Sequence, residues 1–363
     1  MSENKIRSVA AEMNGTQLSC RVTLQEGLES KVDLAFYVFR SETRVHVKWY
    51  SKDSSLEFDT EGHPGYYRVA VFAKRADGTV EVVKSVPLFM NPLQVTADEF
   101  PEADPDKRAY LVDGGFWKCP IMYYPASNKK LFVMMPSAVE RWRVRLPVFS
   151  RWTWASKGTF PGHVLCIADP TLEMHDDLGI GWCLGTSAHP AIDDIEHIIA
   201  KFALGKRISN ENIVFWGSSA GGFASLALTA RFPGSTAVAI NAQTNPLSYS
   251  VQEQVDLVRQ TCFGGLPGER IRTEFGHLVD MTRRWSPMTG SRAVMIQNEL
   301  DVHHYDVHFK PFWQVLGGKV QHGISHTGTH LAWVYTNEHG HVPETPEMAQ
   351  KIIGMLGGDR GAG

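Results

Sequence analysis

The stretch Asn212-Ile-Val-Phe-Trp-Gly-Ser-Ser-Ala-Gly-Gly-Phe-Ala-Ser-Leu226 decides how this chain is read. A short apolar run comes first, then Gly217-Ser218-Ser219-Ala220-Gly221, then small residues in a helical pattern. The order predicts strand, sharp turn, helix. A G-x-S-x-G pentapeptide between a strand and a helix puts its middle serine on a strained turn, with the hydroxyl exposed above the sheet edge. The next backbone N–H then faces the same space, so Ser219 is the candidate nucleophile and Ala220 N–H a candidate oxyanion donor. Glycines at 217 and 221 have a steric reason, because a side chain there would meet the neighbouring backbone.

The segments on either side predict what surrounds that turn. Leu131-Phe-Val-Met-Met, His163-Val-Leu-Cys-Ile-Ala, Ala237-Val-Ala-Ile and Ala293-Val-Met-Ile-Gln are continuous apolar runs of strand length, as expected for strands buried on both faces. Ala191-Ile-Asp-Asp-Ile-Glu-His-Ile-Ile-Ala-Lys-Phe and Ala220 to Phe232 have helical spacing, the second stopped by Pro233-Gly234. Alternating strands and helices predict an α/β fold with a mostly parallel, doubly covered sheet over 127–363. Before it the period is two: Gln17 to Leu24, Val32 to Phe39, Thr43 to Tyr50, and a hairpin across Asp77-Gly78. These predict a small antiparallel β-sandwich over 1–95, whose aromatics Trp49, Tyr66 and Tyr67 are expected to pack in the core and on the sheet faces. The polar, proline-containing 96–126 reads as a linker and connecting segment.

Composition narrows the function classes. A net charge of -3 and no long run of Lys and Arg argue against nucleic acid. Five cysteines, odd in number and without a C-x-x-C pair, read as reduced thiols of a cytoplasmic protein. Neither a signal-peptide h-region nor a membrane-spanning run is present in the sequence, and no metal or cofactor is expected.

Ligands of parallel sheets bind at the carboxyl ends of the strands, so the residues just past each strand matter most. After Met135, an α/β-hydrolase takes its second oxyanion N–H from the adjoining loop; Pro136 has none, leaving Ser137 or Ala138. After Gln297, the acid that orients the base is Asp301, with Glu299 as fallback. His304 and His308, four apart near Asp301, form a weak metal pattern without a third strong ligand. Thr345-Pro346-Glu347 starts the last helix and Leu331-Ala-Trp-Val-Tyr is the final strand, so the base lies between them or just before: His341, with His339 and His326 as alternatives. Trp152, Trp154 and Trp182 fall in loops expected near the strand ends, where Trp154 and Trp182 are candidates for stacking on a sugar, with buried packing as the alternative.

Val214-Phe-Trp-Gly-Ser-Ser-Ala-Gly-Gly-Phe-Ala, Ile240-Asn-Ala-Gln-Thr-Asn, Ile296-Gln-Asn-Glu-Leu-Asp with His303-His-Tyr, and Gly340-His-Val-Pro-Glu carry a further likeness. From Leu131 to Leu356 the chain resembles α/β-hydrolase-like proteins of bacterial surface-glycan systems, including capsule-biosynthesis proteins and the glycan-modifying component of accessory Sec export. The resemblance implies a triad Ser219, Asp301, His341, a β-domain ahead of the hydrolase unit, and the moving or removal of an acyl group on a glycan. The His-rich Ser325-His-Thr-Gly-Thr-His departs from that pattern. The expected function is a serine esterase or O-acyltransferase with a carbohydrate or other small ester as substrate, an acyl donor, and a second copy of the chain as a further candidate partner. A non-catalytic subunit of a glycan assembly or export complex with the same fold is the alternative.

Overall fold

The computed structural model describes residues 6–285 and 290–358; residues 1–5 of the expected first domain and 359–363 of the second lie outside the described residues. The chain divides into two compact units, one of 1–94, 104–110 and 142–146, the other of 95–103, 111–141 and 147–363.

The first unit holds strands β1 (Ile6–Asn14), β2 (Gln17–Leu24), β3 (Val32–Arg40), β4 (Thr43–Ser51), β5 (Ser55–Asp59), β6 (Gly65–Arg75), β7 (Val80–Lys84) and β8 (Leu88–Met90). They form two antiparallel sheets, β1-β2-β5 and β4-β3-β6-β7 with β8 beside β6. Alternation supplies the core: Leu18, Cys20 and Val22 from one sheet share a cluster with Leu34, Phe36, Val38, Val69 and Val71 from the other. The β6–β7 turn places Gly78 at φ 84°, and Asp77 Oδ1 accepts from Thr79 N at 2.9 Å. Tyr66 and Tyr67 are buried, whereas Trp49, expected among the packed aromatics, is 67% exposed and meets Tyr37 edge-on. It lies on β4, where the period-two pattern is weak because none of that strand's residues is buried.

The second sheet contains β9 (Leu93–Thr96), β10 (Ala109–Asp113), β11 (Lys118–Tyr124), β12 (Leu131–Met134), β13 (His163–Ile167), β14 (Ile213–Ser218), β15 (Thr236–Ile240), β16 (Arg292–Asn298), β17 (Gly323–Thr327) and β18 (His330–Tyr335). Its order is β17-β18-β16-β15-β14-β12-β13-β11-β10-β9, and the six strands from β18 to β13 run parallel. β11 and β17 flank them antiparallel, making a mixed sheet in an α/β architecture. Segment 96–126, read as a connection, thus supplies two strands; Lys118-Cys-Pro-Ile-Met-Tyr-Tyr is almost wholly buried, yet its Pro120 argues locally against a strand. The His-rich stretch from Ser325 is likewise strand and tight turn, with Gly328 at φ 54°.

Strand β14 ends at Ser218 and the helix Ala220–Thr229 begins with one residue between them, so the turn is Ser219 alone. Ser219 has φ 55° and ψ −119°, a region that costs a non-glycine residue on the order of 1–3 kcal/mol. Its N–H donates to Ile240 O at 2.9 Å, and its carbonyl accepts from Gly222 N at 3.0 Å and Gln243 N at 3.3 Å. A Cβ on Gly217 would lie 2.1 Å from Gly221 C, and one on Gly222 would lie 2.4 Å from Ala242 Cβ. Gly217→Ala is therefore expected to cost about 3 kcal/mol or to prevent folding, since backbone rather than a flexible side chain occupies the space. Chemical denaturation measures it, and a variant as stable as the parent would contradict this packing.

Candidate functional site

Three strands deliver their next residues to one place beside the turn. Asp301 comes after β16, where Asn298 O accepts from Asp301 N at 3.2 Å. His341 comes after β18, and Asn298 Nδ2 donates to Asn337 O and Gly340 O, both at 2.7 Å, tying the two loops together. Asn241, just past β15 at φ 42°, accepts from Asn298 N at 2.8 Å and donates to Val342 O at 2.9 Å. Two asparagines thus hold the residues on either side of His341.

The result is a chain of contacts. His341 Nε2 lies 3.1 Å from Ser219 Oγ, and His341 Nδ1 donates to Asp301 Oδ2 at 2.5 Å. Ser219 is 8% exposed while the His341 side chain is 39% exposed, so the serine is nearly buried and the imidazole is open to solvent. Burial raises the affinity of the Asp301 carboxyl for its proton, but hydrogen bonds and charge from His304 and His341 more than offset this and hold it well below the usual carboxylate range.

A second imidazole meets the same carboxylate. His304 Nδ1 donates to Asp301 Oδ1 at 2.9 Å, and its ring stacks on His341 with centroids 4.0 Å apart and planes 15° from parallel. His304 belongs to a π-helical segment, His304–Phe309, which also gathers His303 and His308. Gln243 Nε2 is 2.8 Å from both Ser219 Oγ and His304 Nε2, and Gln243 Oε1 accepts from Trp182 Nε1 at 3.2 Å. Trp182 is 1% exposed and so does not present a face for stacking, contrary to the expectation for it. Consecutive positive φ angles at Trp182 and Cys183, with Asp169 Oδ2 accepting from Cys183 N at 3.0 Å, turn that indole inward. Trp154 is half-buried on the short helix Trp152–Ser156.

Beneath the turn, Arg151 donates to both carboxylate oxygens of Glu344 at 2.5 and 2.7 Å and to Ser218 Oγ at 3.0 Å. Trp216 Nε1 donates to Glu344 Oε1 at 2.8 Å. Ser137 Oγ donates to Ser218 O at 2.9 Å, and Ser137 N–H lies 3.4 Å from Ser150 Oγ. As the first residue of its helix, Ala220 has an N–H without an intrahelical acceptor.

The other candidates lie elsewhere. Glu299 accepts from Thr336 Oγ1 at 2.5 Å and meets His322 at 3.1 Å on the surface. His339 is exposed in its loop and His326 is exposed on β17. Gln243, Asn241, Asn298, Arg151 and Glu344 were not singled out as site residues by sequence, and His304 was named there only in a weak metal pattern. All of these except Arg151 lie within the motifs that carried the resemblance, which was the available signal. Asp301, His304 and His341 bring ligand-type atoms within 4.8 Å of one another; both Nδ1 atoms are engaged as donors to the carboxylate.

Burial pushes the proton affinities of His163, His304, His308 and His330 down, that of His308 to about 3. A histidine held neutral in the fold binds fewer protons than the unfolded chain, so stability is full above the unfolded value of about 6.5 and falls as pH drops below it. The melting temperature is expected to be lower at about pH 5 than at about pH 7; an unchanged or higher value at the acid pH would contradict the neutral burial of these rings.

All five cysteines are buried and free, and among the described residues no helix is long and apolar enough to cross a membrane. No family model matches the chain. No curated protein matches it by sequence. Its fold is similar to the capsule O-acetyltransferase of Neisseria meningitidis serogroup A, with TM-score 0.50 and 12% identity over 68% of this chain and 93% of that one. It is also similar to the glycosylation associate protein (Gap123) complex from Streptococcus agalactiae, with TM-score 0.53 and 12% identity over 98% of this chain and 73% of that one. At that identity the likeness is one of fold, and it places the chain's architecture alongside proteins of two bacterial surface-glycan systems, the class its sequence resembles.

Proposed function

We propose that this chain is a serine-dependent acyl-transfer enzyme, an esterase or O-acyltransferase of the α/β-hydrolase type whose substrate is a glycan or a related small ester. The observation that carries the reading is the line Ser219 Oγ, His341 Nε2, His341 Nδ1, Asp301 Oδ2, at 3.1 and 2.5 Å. His341 takes the Ser219 proton as Oγ attacks the ester carbonyl. Asp301, an acceptor only, fixes the Nδ1–H tautomer and steadies the imidazolium. Ala220 N–H binds the oxyanion, and Ser137 N–H is the second donor, exchanging its long contact with Ser150 for the charged oxygen. His341 returns the proton to the leaving alcohol. The acyl group on Oγ is then taken by water or by a sugar hydroxyl deprotonated by the same imidazole.

The strain at Ser219 supports the reading, because a serine held at φ 55° by neighbouring hydrogen bonds is poised rather than merely accommodated. Likeness of fold to a capsule O-acetyltransferase favours an acyl group and a glycan as the chemistry concerned. Five unpaired thiols favour a reducing compartment and hence the cytoplasm. The two facing antiparallel sheets we read as a β-sandwich appended to the hydrolase unit.

Intact mass after incubation with p-nitrophenyl acetate tests the proposal: an acetyl adduct mapped to Ser219 is expected. Its absence under conditions where the protein is folded would point to the non-catalytic alternative. Acetylated sugars, and acyl-coenzyme A with free sugars, then separate hydrolysis from transfer.

A further inference from the structure

We propose that His304, Gln243 and Trp182 form a second arm of the site, which orders the protons around Ser219 so that its hydroxyl has one direction in which to donate. This rests on the acyl-transfer reading above and deepens it. Donor and acceptor chemistry assigns every bond in the arm. The Trp182 indole N–H is a donor only, so the Gln243 oxygen must face it. The Gln243 amide nitrogen therefore carries both its hydrogens to the other side, one toward Ser219 Oγ and one toward His304 Nε2, each at 2.8 Å. His304 Nε2 must then be the acceptor, which makes this ring neutral with its proton on Nδ1. That proton goes to Asp301 Oδ1 at 2.9 Å. The assignments agree from both ends, and burial of His304 favours the same neutral form.

The nucleophile is affected in two ways. Ser219 Oγ already receives a hydrogen from Gln243, so the remaining partner at 3.1 Å, His341 Nε2, is where its own proton goes. As that proton leaves, negative charge develops on Oγ next to an amide N–H that is already aimed at it and needs no reorganisation. His304 acts through Gln243 and Asp301 and does not touch the reacting atoms; it is a positioning residue. Asp301 consequently serves two imidazoles, one per oxygen.

His304→Asn and His304→Gln divide the arm. The asparagine amide replaces Nδ1 and keeps the donation to Asp301 but leaves Gln243 without its acceptor. The glutamine replaces Nε2 and keeps the partner of Gln243 but removes a donor from Asp301. Gln243→Met removes both amide hydrogens. Acylation by p-nitrophenyl acetate is expected to slow by about tenfold to a hundredfold in each variant with little change in KM. The titratable and charged groups around Asp301 and His341 are His303 just before the π-helical segment, His304 and His308 within it, Tyr335 from the end of β18, and Glu344 with Arg151. Among these, only His304 shares Asp301 with His341 through a hydrogen bond. In His304→Gln the carboxylate is left to His341 alone and stabilises its charged form more, so the acid limb of kcat/KM moves to higher pH; in His304→Asn it stays in place.

Acylation rates within about twofold of the parent in all three variants would overturn the proposal, as would the same pH profile in both His304 variants. If the His304 variants fail to fold, Gln243→Met decides alone on rate. An unmodified Ser219 in the parent would instead sink the acyl-transfer reading itself, so the two failures are distinguishable.

Discussion

Ser219→Ala is expected to abolish acetyl-adduct formation and labelling by a serine-directed fluorophosphonate, with a loss in turnover of about a million-fold if the parent runs at the rate of an ordinary serine hydrolase. The size reflects the geometry. His341 Nε2 and Gln243 Nε2 converge on one oxygen at 3.1 and 2.8 Å, and no other hydroxyl is in contact with His341 among the described hydrogen bonds. Ser218, next in sequence, points the other way, with its Oγ accepting from Arg151 and beside Ser137 Oγ. It cannot substitute without reversing the turn. The fold should be unharmed, since the strained turn is held by backbone bonds that alanine retains. Labelling that survives in the alanine variant, or a serine other than Ser219 carrying the adduct, would remove Ser219 from the mechanism.

A large loss of stability is also expected from Glu344→Ala. The Glu344 carboxylate is fully buried and the Arg151 side chain is 7% exposed, so the pair lies out of water. Removing one partner of a buried pair leaves the other charge uncompensated, at a cost of about 3–5 kcal/mol. Here the alanine also strips Trp216 Nε1 of its acceptor. The measurement is the urea midpoint at constant m-value, and a loss below about 1 kcal/mol would show that water reaches Arg151 after all. Adding Arg151→Met should recover part of the loss, because an apolar replacement of both partners removes the stranded charge. Activity should fall along with stability, as Glu344 lies three residues beyond His341 and is tied through Arg151 to Ser218, beside Ser219. The pH dependence has a definite sign. Burial raises the proton affinity of Glu344, but the adjacent guanidinium outweighs it and the net shift is downward. Its contribution is thus present above the ordinary carboxylate value of about 4.3 and is lost as pH falls through the lower folded value.

These two effects come from different scales of structure. The turn at Ser219 is local: a strand, one strained residue and a helix, enforced by glycines whose missing side chains leave room for backbone. Such features are readable because each depends on neighbours within a few positions. The buried parallel strands are readable for a similar reason, since double-sided burial demands uninterrupted apolar runs. Trp49 shows the limit, as an aromatic in a half-exposed strand has no local mark of which face it takes.

What the amino-acid order determined by itself is the α/β alternation, the G-x-S-x-G turn and the sequence in which alcohol, carboxylate and imidazole succeed their strands. Only the tertiary structure shows that His341, rather than His339 or His326, meets Ser219 and Asp301, because two of these are separated by a single glycine and differ in where the loop directs them. Likewise it decided that Trp182 turns inward to Gln243, that Asp301 meets a second imidazole, and that Arg151 closes on a glutamate 193 positions away. The physical reason is common to all of them: hydrogen-bond partners are chosen by which chain ends the sheet brings within about 3 Å, and sequence spacing carries no record of that distance.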